Sequence, residues 1–315
     1  MRVLLTGATG FVGSHVLRTL LARGHHVAAL IRPGSDTWRI AEVLARVRVS
    51  PAVLGEDPPS RSPTRLAEVA AEYRTDAIIH LAWTGVAGAD RNAPEQVHNL
   101  PATLTLLETA RAAGVRHYIA LGSQAEHGPH NERIAESAPT QPTTLYGLCK
   151  LTACRLTDQF CDRHGLRWAW LRLFSAYGEM DSPAWLVPHV ILALLRGERP
   201  RLTAGTQLWD YVHAADVAAA IVAVLEQPAA TGVFNLGSGR AVPLRSVIER
   251  IRDLIDPQLP LAFGEVPYRP DQVMHLEADI SRLMQTTGWA PRVPLDEGLA
   301  RTVEWYRAHR ARYER

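Results

Sequence analysis

The sequence predicts an α/β fold in which a doubly wound parallel sheet carries helices on both faces, followed by a smaller C-terminal α/β lobe. Three observations indicate this fold: apolar strands alternate with helical patterns through the first half of the chain, a glycine-rich turn joins the first strand to the first helix, and residues 76–82 form a continuous apolar run. A strand buried on both faces lacks polar alternation, so that run is typical of the centre of a parallel sheet.

The glycine-rich turn, residues 6–13, reads TGATGFVG and is followed by an apolar helical pattern. A second strand, at residues 26–31, closes a βαβ unit. Glycines at such a turn let bare backbone N–H groups approach a pyrophosphate at the positive end of a helix. The turn therefore predicts a dinucleotide site, and the alternative is a glycine turn without a ligand.

The remaining pattern predicts further elements in order and a division into two parts. Up to residue 175, strands are predicted at 47–49, 76–82, 118–121 and 166–174, and helices at 64–73 and 145–164, with a long helix between them that contains Asn99 and ends near residues 113–114. Beyond it the alternation becomes irregular, with helices at 186–195, 214–225 and 244–255 and a strand at 232–236. We expect residues 1–175, with returning segments near 207–237, to bind the dinucleotide, and residues 176–315 to form mainly a substrate lobe.

Composition excludes several classes of protein. The 315 residues are enough for an ample core, and a net charge of +2 without basic runs interleaved with aromatic residues argues against a nucleic-acid partner. No apolar stretch approaches the roughly twenty residues that span a bilayer, and the chain starts directly with a strand, so neither a membrane partner nor a signal peptide is expected. Cys149, Cys154 and Cys161 lie on one predicted helix without zinc-ligand spacing, which indicates reduced cysteines in a cytoplasmic protein and no metal site.

Tyr146 and Lys150 lie four positions apart on the helix predicted at 145–164, hence on one face and about 6 Å apart along its axis. A neighbouring cation favours phenolate and so lowers the pKa of a tyrosine from its usual value of about 10. Such a pair also occurs on solvated helix faces. The glycine turn, together with Ser123 at the end of a predicted strand, favours acid/base catalysis here.

Several motifs follow one another along nearly the whole chain: residues 6–13, 80–82, 171–174, 209–213, 234–237 and 268–270, with Asn99, Ser123, Tyr146 and Lys150. In this order they resemble the extended short-chain dehydrogenase/reductases of the nucleotide-sugar epimerase/dehydratase type. The resemblance implies a Rossmann-type fold and hydride transfer between a nicotinamide and a sugar carbon.

The resemblance also implies site residues. Tyr146 would be the general acid/base, Lys150 would hold the nicotinamide ribose and lower the tyrosine pKa, and Ser123 would hydrogen-bond the reacting oxygen. The residues expected at the cofactor are Thr6, Gly7, Thr9, Gly10, Phe11, Val12, Gly13, Arg32, Leu81, Ala82, Asn99, Tyr146 and Lys150. Those expected at the substrate are Gln124, His127, Ser175, Trp209 and Arg269.

The residues after Ser123 depart from part of this family. Its dehydratases carry two carboxylates there, but this chain has Gln124 and Ala125, which cannot exchange protons at neutral pH, so dehydration is disfavoured. Glu126 follows; on a regular extended segment it would point away, whereas a loop could re-aim it. His127 replaces a common tyrosine and is read either as a substrate contact or as a structural loop histidine.

The cofactor prediction depends on the end of the second strand. Rossmann-type enzymes that use NAD place an acidic residue there for the ribose 2′-hydroxyl, whereas an arginine accommodates a 2′-phosphate. This chain has Ile31 and Arg32. We therefore expect NADP(H), with NAD(H) as the alternative; Arg32 could also be a solvated surface residue.

On the substrate side, Arg269 matches a family arginine that binds the nucleotide diphosphate through its planar fork. Ser175 replaces a common asparagine and Trp209 a common arginine, and Trp209 is read either as a stacking platform or as a core residue. The helices containing Asn99 and Tyr146 form a four-helix dimer interface in many relatives. A homodimer is therefore expected, although these helices could simply cover the sheet.

Together, these features predict an NADPH-dependent reductase, with Tyr146 as general acid, of the 4-keto group of a nucleoside-diphosphate 4-keto-6-deoxyhexose, an activity of deoxysugar biosynthesis. Two alternatives stay open. One is an NAD-dependent nucleotide-sugar epimerase, and the other is a non-catalytic module that senses NADP(H).

Overall fold

The structure is a computed structural model, and it describes residues 1–55, 65–269 and 272–313. The sequence also predicts a polar, proline-rich connection through residues 57–59, and this connection lies outside the described residues, as does residue 270 of the motif at 268–270.

Twelve strands and nine α-helices are present in this described part. The strands are β1 Arg2–Thr6, β2 His26–Ile31, β3 Arg48–Pro51, β4 Ala77–His80, β5 His117–Ser123, β6 Arg133–Ile134, β7 Arg167–Leu173, β8 Ser175–Tyr177, β9 Leu208–His213, β10 Gly232–Leu236, β11 Ala241–Pro243 and β12 His275–Ala278. The helices are α1 Phe11–Ala22, α2 Arg65–Glu72, α3 Asn99–Ala112, α4 Leu145–His164, α5 Leu186–Leu195, α6 Ala214–Glu226, α7 Leu244–Ile255, α8 Ser281–Thr287 and α9 Leu295–Ala308. Short 3₁₀ helices cover Trp38–Arg46, Gly88–Asn92, Pro94–His98, Gln124–Glu126 and Arg310–Arg312.

The main sheet has seven parallel strands in the order β10-β7-β5-β4-β1-β2-β3. Leu5 of β1 pairs with Ala29 of β2 and with Ile79 of β4, which places β1 and β4 at the centre. Side chains of β4 alternate between the two faces: Ile79 packs into one apolar cluster and Ile78 into the other. Burial on both faces explains the continuous apolar run, and the predicted doubly wound parallel sheet is confirmed.

Helices cover both faces of this sheet. One apolar cluster joins the sheet to α1 and α6, with Leu17 and Ile221 among its buried members, and the other joins it to α2, α3 and α4. Cys154 and Cys161 of α4 are buried in the second cluster, and all three cysteines are free thiols. Within the described residues, no helix is long and apolar enough to cross a bilayer.

The remaining strands form a second, smaller sheet in the order β11-β9-β12-β6, with β8 beside β9. A third apolar cluster, built largely by α5, α7 and α9, packs next to it. Two later segments return to the main core: β10 pairs with β7 at the edge of the main sheet, and residues 276–289 pack against the cluster that contains α1 and α6. The division into a dinucleotide-binding domain and a substrate lobe stays a prediction.

Candidate functional site

The glycine turn between β1 and α1 is built so that side chains cannot enter it. Gly7 has a φ of +73°, and a Cβ there would lie 2.7 Å from the backbone nitrogen of Ala82. A Cβ on Gly13 would lie 1.9 Å from the carbonyl oxygen of Gly7. Glycine at both places lets the turn pack against the residues that follow β4.

The start of α1 fits the phosphate group of a dinucleotide. Gly10 is its N-cap, and no side chain of the described residues caps the helix there. Its first N–H groups, near Phe11 and Val12, therefore remain available to an anion at the positive end of the helix. Thr9 lies in the same turn and is half-buried. Uncapped backbone N–H groups at a helix N-terminus are well placed to bind a pyrophosphate.

Two residues expected at the cofactor turn their side chains elsewhere. Thr6 is fully buried, and its hydroxyl accepts hydrogen bonds from the N–H groups of Leu81 and Ala82, both at 3.2 Å. Asn99 is also buried; its amide oxygen accepts from the Thr84 N–H at 2.9 Å, and its nitrogen donates to the Thr84 carbonyl at 3.2 Å. These groups hold the segment after β4 in place, and their contact with a cofactor stays a prediction.

Arg32 follows β2 directly and is exposed. Because the sheet is parallel, it lies at the same carboxyl edge as the glycine turn.

The predicted catalytic side chains meet at this edge. Ser123 is the last residue of β5, and Tyr146 and Lys150 lie on the first turns of α4; all three are buried. Thr144 begins α4 by accepting a hydrogen bond from the Gly147 N–H at 3.1 Å. The Lys150 ammonium donates to the Leu121 carbonyl at 2.7 Å. Strand β5 and helix α4 thus position the serine, the phenol and the ammonium together.

The predicted lowering of the Tyr146 pKa by Lys150 is wrong for this structure. Burial raises the pKa of Tyr146 above its ordinary value, and the opposing effects of the Ser123 hydroxyl and of the Arg91 charge are smaller. The Lys150 ammonium lies 5.9 Å from the centre of the Tyr146 ring but only 3.7 Å from that of Trp83. Burial also lowers the pKa of Lys150 to about 7.

Glu126 is a structural residue, not an acid that faces the site. It ends a short 3₁₀ turn, where its carboxylate accepts hydrogen bonds from the Ser123 N–H at 2.9 Å and the Trp170 indole at 2.8 Å. It also pairs with Arg172 at 2.8 Å and is fully buried. In return, Ser123 Oγ accepts from the Ala125 N–H at 3.2 Å, which completes a capping box. The Ser-x-x-Glu spacing is a sequence signal that could have predicted this role.

The contacts of His127 support its interpretation as a structural loop histidine, and its role as a substrate-binding residue stays a prediction. Its side chain is fully buried; one ring nitrogen bonds the Pro139 carbonyl at 3.3 Å, and the other bonds Arg172 at 3.2 Å. Burial, helped by the charge of Arg172, lowers the pKa of His127 to about 4. Gln124, in contrast, is partly exposed at the end of β5.

The other residues expected at the substrate fall into two groups. Ser175 of β8 and Trp209 of β9 are half-buried neighbours, and the Trp209 indole donates to Ser175 Oγ at 2.7 Å. Trp209 also packs against the main apolar core, so part of its ring is structural. Arg269 is exposed and lies close enough to Arg91 for its charge to lower the pKa of Arg91.

Sequence reasoning missed Trp83 and Arg91, which both lie in the segment between β4 and α3. Trp83 approaches the Tyr146 ring edge-on, with ring centres 6.2 Å apart, and the Arg91 guanidinium lies 4.4 Å from the centre of that ring. Residues of an irregular segment follow no hydrophobic period, so the sequence carries no signal for either contact.

Comparison with known proteins agrees with this geometry. The model of a family described as NAD dependent epimerase/dehydratase matches residues 3–237. A UDP-glucose 4-epimerase of Azospirillum brasilense is 29% identical over 98% of this chain and 92% of its own length, and a dTDP-glucose 4,6-dehydratase of Streptomyces griseus is 29% identical over 99% and 96%. The solved structure of Thermus thermophilus UDP-glucose 4-epimerase in complex with NAD superposes with a TM-score of 0.84 at 27% identity, over 98% of this chain and 99% of that one. The chain therefore belongs to the NAD dependent epimerase/dehydratase family, in agreement with its resemblance to the extended short-chain dehydrogenase/reductases.

Proposed function

We propose that this protein is a 4-epimerase of a nucleoside-diphosphate hexose that retains and recycles its nicotinamide cofactor. One observation carries the choice of reaction: Ser123, Tyr146 and Lys150 converge at the sheet edge, while Glu126, the carboxylate nearest to them in the chain, is consumed by structural hydrogen bonds. The relatives include 4-epimerases and 4,6-dehydratases. Because Glu126 is buried and its neighbours Gln124 and Ala125 carry no carboxylate, this site supports 4-epimerisation over dehydration.

The residues of this chain would act as follows. The N–H groups of the turn and of α1 would hold the pyrophosphate, and Lys150 would hold the nicotinamide ribose. In its phenolate form, Tyr146 Oη would accept the proton of the C4 hydroxyl while hydride leaves the same carbon, and Ser123 would donate a hydrogen bond to that oxygen. After the 4-keto sugar turns its opposite face toward the cofactor, hydride would return to C4 and Tyr146 would give the proton back, which inverts C4. The bound nicotinamide supplies the hydride acceptor and donor.

NAD(H) is the better supported cofactor, since the Thermus relative is solved with NAD and the family is described as NAD dependent. The exposed Arg32 still favours a 2′-phosphate. Competition between NAD and NADP, measured on the wild type and on Arg32→Ala, separates the two cofactors. A preference for NADP that disappears in the variant would support NADP(H), as the sequence predicts.

The function is tested by incubating the protein with UDP-glucose and with dTDP-glucose and following the products by NMR. We expect inversion at C4 without net consumption of cofactor, and acid treatment of the purified protein should release NAD. Formation of a 4-keto-6-deoxy product, or no reaction with either sugar nucleotide, would contradict the proposal.

A 4-ketoreductase is the second candidate, favoured by Arg32 because cells keep NADPH for reductions. In that case dTDP-, CDP- or GDP-4-keto-6-deoxyhexose should consume NADPH stoichiometrically, and UDP-glucose should not react. The alternative of a non-catalytic module that senses NADP(H) would be favoured only if Tyr146→Phe left the biological role of the protein unchanged.

We also propose that the protein is a homodimer through α3 and α4. Leu145 and Leu148 of α4 are exposed, the latter by 48%, on the surface of the helix that carries Tyr146. Light scattering should give twice the mass of the chain for the wild type and the mass of one chain for Leu148→Lys. A wild type that is monomeric at all concentrations would exclude this assembly.

A further inference from the structure

A second cation, besides Lys150, lies against the reactive tyrosine. Arg91 belongs to the 3₁₀ helix Gly88–Asn92, and its guanidinium carbon lies over the Tyr146 ring, 4.4 Å from the ring centre. The Lys150 ammonium is farther away, at 5.9 Å. Arg91 is therefore the nearer of these two cations to the centre of the Tyr146 ring, and its contact has the geometry of a cation–π pair.

The segment that carries Arg91 is fixed on both sides of it. Asn92, the next residue, accepts a hydrogen bond from the Leu145 N–H at 3.1 Å, at the beginning of α4. Gln96 donates to the Asp90 carbonyl at 2.9 Å and accepts from the Trp83 indole at 3.0 Å. The Asn92 bond ties the segment to the beginning of α4, and the Gln96 bonds hold the segment together, so the backbone position of Arg91 beside Tyr146 is fixed.

No carboxylate pairs with Arg91 in residues 1–55, 65–269 or 272–313. Its guanidinium donates to the Val86 carbonyl at 3.4 Å, and its other close neighbour is the Tyr146 ring. Burial lowers the pKa of Arg91, and the positive charge of Arg269 acts in the same direction. A half-buried cation without a counterion is costly, so a negative charge that forms beside it is favoured.

The groups that face Tyr146 come from three other elements and from its own helix. Ser123 of β5 favours the phenolate, Glu126 of the following turn opposes it, and Lys150 lies one turn further along α4. Glu126 is already neutralised by its pair with Arg172. Arg91 is thus the cation placed directly on the ring.

We propose that Arg91 is a positioning residue for Tyr146: its stacked guanidinium fixes the ring and balances the negative charge that the phenol acquires when it gives up its proton. The inference rests on the proposed function only in taking Tyr146 as the reacting group. Arg91 would thereby stabilise the phenolate of Tyr146, a role that the sequence analysis assigns to Lys150.

The experiment compares three forms of the full chain loaded with cofactor: wild type, Arg91→Met, which keeps an apolar side chain on the ring without the charge, and Arg91→Lys, which keeps the charge. The Tyr146 phenolate is titrated by ultraviolet absorbance, as the difference from the same protein with Tyr146→Phe, and circular dichroism shows the range in which the fold is intact. Arg163→Gln removes an exposed positive charge near the far end of α4, roughly 25 Å away along the helix, and is the control.

We expect Tyr146 to titrate about one unit or more higher in Arg91→Met than in the wild type, and Arg91→Lys to recover part of the difference. Arg163→Gln should match the wild type. Equal titration in all forms, including a phenol that stays protonated in each, would overturn the proposal. So would an unchanged titration with a raised KM for a sugar nucleotide, which would make Arg91 a contact for an anionic substrate group. The titration does not require catalytic turnover, so it tests the role of Arg91 even if the protein shows no epimerase activity.

Discussion

Two buried tyrosines differ in what their hydroxyl groups face. Tyr146 faces Ser123, whereas the hydroxyl of Tyr118 on β5 is buried without a hydrogen-bond partner among the described residues. We expect Tyr146→Phe to lower kcat by about 100- to 10,000-fold without changing the thermal unfolding temperature, because it removes only the proton-transfer group. Initial rates with the sugar nucleotide and a thermal scan measure the two effects.

Tyr118→Phe is the matched control for this prediction. It removes a buried hydroxyl that costs free energy, so the rate should stay unchanged and the folded state should be equally stable or more stable, by up to about 1 kcal/mol. A similar loss of activity in both variants would mean that Tyr146 acts through packing.

Glu126 contributes stability at the residue scale. Replacing it by Gln leaves the buried Arg172 without its counter-charge, and we expect the free energy of unfolding in urea to fall by about 3–5 kcal/mol. Glu132→Gln, at an exposed position, should change it by less than about 0.5 kcal/mol. A variant of Glu126 that is fully stable but inactive would instead make this carboxylate a catalytic group.

At this scale the sequence predicts residue types and their neighbours along the chain but not the direction of a side chain. The sequence alone indicates that Tyr146, Lys150 and Ser123 lie close together, because the first two share a helix face and the third ends a strand. Thr6 and His127 have polar groups that could bind a ligand, yet the packed interior uses those groups for its own hydrogen bonds. Their orientation depends on residues far away in the sequence, such as Arg172.

At the scale of elements, the turn between β1 and α1 gives a sharp comparison between two glycines. A Cβ on Gly13 meets the Gly7 carbonyl at 1.9 Å, whereas a Cβ on Gly24, just after α1, has nothing within 4 Å. We expect Gly13→Ala to weaken cofactor binding by at least about tenfold, since the turn must open to admit the methyl group.

Gly24→Ala should leave cofactor affinity unchanged and cost about 1–2 kcal/mol of stability, because Gly24 has a φ of +77°. Cofactor titration by fluorescence and urea unfolding of both variants are the measurements. Equal affinity of the wild type and of Gly13→Ala for the cofactor would show that the turn does not bind the cofactor.

Elements whose apolar stripe or run ends at a clear capping or turn residue are those the sequence predicts best. The bounds of β2, α4, α5, β10 and α7 agree with the observed ones, because an apolar stripe or run ends at a capping or turn residue in each. The second sheet was missed: β6 has two residues, β8 and β11 have three, and each depends on pairing with a distant strand such as β9. A strand this short has no period of its own.

At the scale of the whole molecule, buried histidines predict how stability depends on pH. Burial lowers the pKa of His80 and His117 to about 3 and that of His127 to about 4. In the unfolded chain they titrate near 6.5, so below that pH the unfolded chain binds more protons and stability falls. Asp181, whose burial raises its pKa to about 7, acts in the opposite direction.

The net uptake is about two protons, and we expect the free energy of unfolding to fall by about 2–3 kcal/mol per pH unit between about pH 6 and pH 4. Urea denaturation at a series of pH values measures this slope, and the same series with His117→Phe tests one contributor. A free energy that is flat across this range would show that the histidines are protonated in the folded protein.

The position of β10 constrains how this protein can form during synthesis. The edge of the main sheet is completed by residues 232–236, although its neighbour β7 ends at Leu173. A ribosome that has released only the first 175 residues has therefore released a sheet with one apolar edge uncovered. A fragment ending near residue 175 would therefore expose the edge of β7 and be prone to aggregate through it.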